Sequence, residues 1–158
     1  MMTDQAFEEA ILGLVDTMYR ICYAQLRSHA DREDAVQEAL KKAWEKRKML
    51  KDEGALRGWM LRILINECHN IQRKNKRMRP AEYIPDQALP PPDADSTLHD
   101  LVLSLPEKLR ITAVLVFMEG MTGAQAAQIL RLPQGTVSSR IHKARKLLMD
   151  QWKEANRE

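Results

Sequence analysis

Apolar residues recur at helical spacing through both halves of the chain, and one stretch rich in proline separates them. Near the start, Phe7, Ala10, Ile11, Leu14, Met18, Ile21, Cys22 and Leu26 lie three or four residues apart and form one stripe. Asp31 is placed to cap a second helix, whose Val36, Ala39, Leu40, Ala43 and Trp44 turn to the same core. A breaking segment around Gly54 leads to a third helix that carries Leu56, Trp59, Met60, Ile63, Leu64, Cys68 and Ile71 inward. Three amphipathic helices can bury one another's faces, so the pattern predicts a helical body.

Pro80, Pro85 and the run Pro90, Pro91, Pro92 cannot lie inside a helix, which makes residues 80–97 a tether, semi-extended in its proline run. Beyond it a helix starts near Leu98 and is interrupted at Pro106, which suits the first turn of the next helix. That helix runs through Leu109, Ala113, Val114 and Phe117 and stops at Gly120. Thr122 and Gln125 form a capping box for a short helix from Gly123 to Leu130. Arg131 and Leu132 make a turn, and Pro133 opens a long final helix with Val137, Ile141, Ala144 and Leu148 inward. A short helix, a tight turn and a longer basic helix is the helix-turn-helix pattern. The expectation is an all-α protein: two small helical domains, residues 1–79 and 98–158, joined by a flexible linker over 80–97.

Composition agrees, since an aromatic content of 5% and only 6 glycines favour helices over strands. There is no apolar run of the roughly 18–20 residues that a membrane span needs, and the start is acidic where a signal peptide is basic. A cytoplasmic protein without membrane insertion is expected. Cys22 and Cys68 lack the paired short spacings of a zinc site or disulfide framework, and read as two buried, reduced thiols.

The formal charge of +3 conceals strong segregation. Arg57, Arg62, Arg73, Lys74, Lys76, Arg77 and Arg79 share their segment with one acid, Glu67. Residues 81–107 hold Glu82, Asp86, Asp93, Asp95, Asp100 and Glu107 without a Lys or Arg. Arg131, Arg140, Lys143, Arg145 and Lys146 then follow without an acid. Two basic blocks separated by an acidic one suggest two anion-binding faces on two bodies.

On the final helix Thr136, Ser139, Arg140 and Lys143 stand together on the outward face, types suited to base edges and phosphates in a major groove. The plainer alternative is a solvated basic face. On the third helix Arg62, Asn66, His69, Asn70, Arg73 and Arg77 share a face. The asparagines can pair with bases and the cations with phosphates, although basic residues at a helix C-terminus also suit its macrodipole. The second helix presents Asp34, Gln37, Glu38 and Lys41, with Asp34 and Glu38 as like charges one turn apart. A basic partner explains that pair; on the residues alone, capping by Asp34 and solvation of Glu38 beside Lys41 and Lys42 explain it as well.

Enzymatic chemistry finds no purchase. His29, His69, His99 and His142 lack the mutual spacing of metal ligands, no Gly-rich phosphate loop occurs, and Ser138 and Ser139 have no base nearby. No catalytic residue, metal or cofactor is expected.

Three segments together resemble the extracytoplasmic-function sigma factors of the sigma-70 family: DREDAVQEALKKAW at 31–44, LRGWMLRILINECHNIQRKNKR at 56–77, and the run from Leu105 to Leu148 containing Pro106, Glu119-Gly120, Gly135-Thr136-Val137, Arg140 and Arg145. The resemblance implies a non-enzymatic promoter-recognition subunit that binds core RNA polymerase and promoter DNA, with an anti-sigma protein as a further candidate partner. It implies a sigma-two-like bundle of three or four helices, in which Asp34, Gln37, Glu38 and Lys41 dock on the polymerase clamp. Arg62, Asn66, Asn70, Arg73, Lys74 and Arg77 would then serve the minus-ten element. It implies also a sigma-four-like body, whose earlier helices sit on the polymerase flap. Its final helix would read the minus-thirty-five element with Thr136, Ser139, Arg140, Lys143 and Arg145. Asn70 stands where many relatives carry Asp, Arg131 where the turn usually has Gly, and Ser138 where a basic residue is common. The segment 49–55 matches too loosely for residues to be assigned. The chief rival is a self-sufficient helix-turn-helix regulator; a second is a sigma mimic that occupies an anti-sigma partner.

Overall fold

The structure, a computed structural model, describes residues 2–80 and 98–157. Two compact units lie one on each side of the intervening segment, and every regular element among the described residues is helical. Apart from Pro80, the expected tether and its acids Glu82, Asp86, Asp93 and Asp95 fall outside the described residues.

In the first unit the opening stripe is carried by two helices, not one: α1 (Asp4–Leu12) and α2 (Val15–Gln25). The break falls at Gly13, a poor helix former, whose N–H still closes on Glu9 while Leu14 turns back to Ile11. Phe7, Ile11, Met18, Ile21, Cys22 and Leu26 are buried across the break. Helix α3 (His29–Glu45) begins earlier than expected because Ser28, and not Asp31, is its cap. The Ser28 hydroxyl accepts the Asp31 N–H at 3.0 Å. Asp31 is thus left in the first turn, where its charge suits the helix dipole and its Oδ2 accepts from Asn75 at 2.9 Å.

Two short 3-10 turns, Arg47–Met49 and Glu53–Ala55, lead into α4 (Leu56–Met78). Leu56, Met60, Leu64 and Cys68 are buried as the periodicity predicts, while Trp59, Ile63 and Ile71 are only half-buried. Leu61 and Ile65 are buried as well, because α2 and α3 both pack on α4 and widen its covered sector. Trp44, expected inside, is 38% exposed. It forms an edge cluster with Phe7, 6.3 Å away, and the Arg47 guanidinium lies 3.8 Å over its ring. Full burial of side chains such as Met18, Ile21, Met60, Leu61 and Leu64 contributes about 1.5–3 kcal/mol each.

The second unit comprises α5 (Leu98–Leu103), α6 (Glu107–Ala113), α7 (Gly123–Leu130) and α8 (Gln134–Ala155). Pro106 precedes α6 as its N-cap residue, one position before the first turn, and its carbonyl accepts from Leu109 and Arg110 at 2.9 Å. α6 continues into a wider π turn, Val114–Met118, closed by the Glu119 N–H on Val114, and Gly120 stops it with φ of 70°. The capping box is as expected: Thr122 Oγ1 accepts the Gln125 N–H at 3.1 Å, and Gln125 Oε1 accepts the Thr122 N–H at 2.9 Å. α8 buries Val137 and Ala144, with Ile141 and Leu148 half-buried.

Candidate nucleic-acid interfaces

The turn between α7 and α8 decides what α8 can present. Arg131 adopts the left-handed conformation, φ 55° and ψ 46°, and the Leu132 N–H reaches back to the Ala127 carbonyl at 3.0 Å. Pro133, extended, then starts α8 in a new direction. Helix, left-handed stop and proline give a sharp turn of two residues, which leaves the N-terminal end of α8 uncovered.

At that end Ser139 and Lys143 are exposed and Thr136 and Arg140 half-buried, so the structure keeps these four on one solvent-facing side. Arg145 is not brought together with them. Nine residues on from Thr136 it stands half a turn round α8, with its guanidinium 5.4 Å from the Phe117 ring. There it borders an open apolar groove of about 520 Å³ lined by Leu98, Leu101, Phe117, Leu148, Met149 and Trp152. The reading of the sequence missed this groove, although Arg145, Leu148, Met149 and Trp152 at intervals of three and four were a legible signal.

α4 is 23 residues long, about 35 Å of helix. It sets Asn66, Asn70, Arg73, Lys74 and Arg77 in solvent along the side opposite Leu61, Leu64 and Cys68. Arg62 and His69 of the same stripe are half-buried. The Arg73 guanidinium donates to Asn70 Oδ1, which orients the asparagine amide. Burial, and secondarily the Arg73 charge, hold the His69 imidazole below its ordinary value of 6.5. The stripe is therefore a set of amide donors and acceptors flanked by cations, with a neutral histidine among them at neutral pH.

α3 exposes Asp34, Gln37 and Lys41 side by side, with Glu38 half-buried between them. Lys42 points elsewhere, to Glu67 of α4. Its hydrogen bond therefore goes to Glu67, and Glu38 acts on it only as a nearby charge. The lone acid of the basic α4 is accordingly an internal tie between helices and no part of the exposed stripe.

Among the described residues no three His, Cys, Asp or Glu side chains gather as metal ligands do, and no helix is long and apolar enough to cross a membrane.

Comparison with known proteins gives matches to both units. Residues 11–78 match the Sigma-70 region 2 family model and residues 96–148 the Sigma-70 region 4 model. The chain is 26% identical to the ECF RNA polymerase sigma factor SigW of Bacillus subtilis, over 92% of this chain and 88% of that one. It is 27% identical to the ECF RNA polymerase sigma-E factor of Haemophilus influenzae, over 93% of this chain and 94% of the relative. Among solved structures it resembles the sigma factor RpoE in complex with the anti-sigma factor NepR from Bartonella quintana. That likeness has a TM-score of 0.76 and 26% identity and covers 93% of this chain and 96% of the other.

Proposed function

The chain belongs to the extracytoplasmic-function group of the sigma-70 family, and from that premise we propose how its two units divide the work. It is a sigma factor that binds core RNA polymerase and directs transcription from specific promoters. The family is not one of enzymes. One observation carries the reading: regions 2 and 4 are both present, in that order, on the two units of a single chain. A self-sufficient helix-turn-helix regulator has no need of region 2, and is not favoured.

Residues 1–79 dock on the polymerase clamp through Asp34, Gln37, Glu38 and Lys41, where a basic partner would relieve the like charges of Asp34 and Glu38. The stripe of α4, with half-buried Arg62 and exposed Asn66, Asn70, Arg73, Lys74 and Arg77, meets the minus-ten element and holds bases as the strands part. Residues 98–158 read the minus-thirty-five element with Thr136, Ser139, Arg140 and Lys143. Arg145 acts beside the groove, whose apolar lining suits the polymerase flap. Residues 80–97 link the two. Held at fixed spacing by polymerase, two modest readers combine into one specific one. A protein of this task works in the cytoplasm, and an anti-sigma protein covering either face would silence it.

Reconstitution with core polymerase and a promoter library, with start sites mapped at stated salt, tests the reading. Defined start sites with a shared pair of elements are expected. A polypeptide that core polymerase ignores, or that binds it and starts no RNA at any defined site, overturns it.

A further inference from the structure

Cys22 and Cys68 stand 46 residues apart in sequence, yet α2 and α4 bring their sulfur atoms to 3.9 Å. Both are free and wholly buried. We propose that they form a redox modification site, a dithiol that a hydroperoxide converts to a disulfide tying α2 to α4.

A disulfide needs its sulfurs at about 2.05 Å, so from their separation of 3.9 Å they must close by about 2 Å. The chemistry balances as two displacements. One sulfur attacks a peroxide oxygen; the S–O bond forms, the O–O bond breaks and the departing oxygen leaves as water or alcohol with the thiol's proton. The second sulfur attacks the sulfenic sulfur, the S–S bond forms, the S–O bond breaks and a water leaves. The two thiols together lose two electrons and the peroxide gains them.

Contact with Cys22 and burial push the Cys68 thiol far above its ordinary value, so in the closed bundle it stays protonated and reacts slowly. Oxidation therefore follows brief separation of the helices and is selective for sustained peroxide exposure. The bond would enclose all of α3 and lock the unit closed. Two residues on from Asn66, Cys68 lies on the far side of α4 from the exposed stripe, and α2 carries none of the α3 face. The cross-link therefore stabilises the first unit against unfolding and leaves its exposed faces unchanged.

The full chain, reduced and then exposed to hydrogen peroxide, is expected to lose the mass of two hydrogens and become inert to maleimide after denaturation. Its urea midpoint should shift upward, reversed by dithiothreitol. Cys68→Ala and Cys22→Ala should abolish both changes; should either variant fail to fold, the reduced and oxidised wild type decide alone. The exposed Met49 and Met78 report the oxidant dose as sulfoxides. Free thiols at a dose that oxidises both methionines, sulfinic products, or only intermolecular dimers overturn the proposal. In a separate arm, which rests on the sigma-factor reading, the oxidised protein should support transcription equal to the reduced form. Loss of polymerase binding on oxidation overturns the claim that the faces are spared.

Discussion

Lys42 on α3 donates to the carboxylate of Glu67 on α4, and that carboxylate is nearly enclosed, with its side chain 8% exposed against 34% for the lysine. The pair joins the helix proposed to meet polymerase to the helix proposed to meet DNA. Its position also explains why a helix with so many cations tolerates one inward acid: burying a charge is costly unless it is paired.

Lys42→Met strands that carboxylate and is expected to cost about 1–3 kcal/mol, below the figure for a fully buried pair because Lys42 keeps access to solvent. Lys42→Met with Glu67→Met should recover most of the loss, as urea denaturation at neutral pH would show. The hydrogen bond to Glu67, above all, raises the Lys42 value in the fold above its ordinary 10.5. The part of the stabilisation that Lys42 contributes is therefore fully present below that ordinary value and is lost as pH rises through the higher folded one. An equal loss in the single and double variants would contradict this.

Arg131 pays a conformational penalty for its left-handed backbone, with φ of 55°. Arg131→Gly removes the Cβ clash and is expected to stabilise the second unit by about 1 kcal/mol, net of glycine's greater freedom when unfolded. A rise in its denaturation midpoint checks this. An unchanged or lowered midpoint would mean that the Arg131 side chain contributes as much as its backbone costs.

His69 has its value lowered by burial first and by Arg73 second. The folded state therefore resists protonation, and stability falls as pH drops through the ordinary imidazole value of 6.5 and on toward the folded one. His69→Gln should flatten that part of the acid limb. In Arg73→Gln the imidazole should titrate higher than in the wild type, a shift that nuclear magnetic resonance of the ring reads directly.

Arg140→Glu is expected to abolish minus-thirty-five recognition while core polymerase binding persists. Arg145→Ala, on the other side of α8, should weaken polymerase engagement more than base selection. Promoter use that survives Arg140→Glu intact would remove the assigned role of this helix end.

The helix-turn-helix was legible almost residue by residue, because its signals are local. A capping box between Thr122 and Gln125, a non-glycine stop at Arg131 and a proline at the start of α8 each act within one turn of chain. The first unit was less so. One continuous stripe through Leu14 hides the break at Gly13, and Asp31 resembles a cap only until the Ser28 hydroxyl is seen to reach its N–H. Trp44 fits the apolar period of α3 and still emerges to 38% exposure, since periodicity reports direction and not how far the neighbouring helices extend.

Sequence alone determined the helical class, the proline-rich interval between two bodies, the segregated charge and the faces on which candidate DNA contacts stand, because each follows from spacing along a single helix. Tertiary structure decided which distant residues meet. The Lys42–Glu67 tie, the Cys22–Cys68 contact and the approach of Arg145 to the Phe117 ring all depend on how helices distant in sequence pack. No pattern along the chain encodes those distances, since packing is settled by the shapes of several side chains at once.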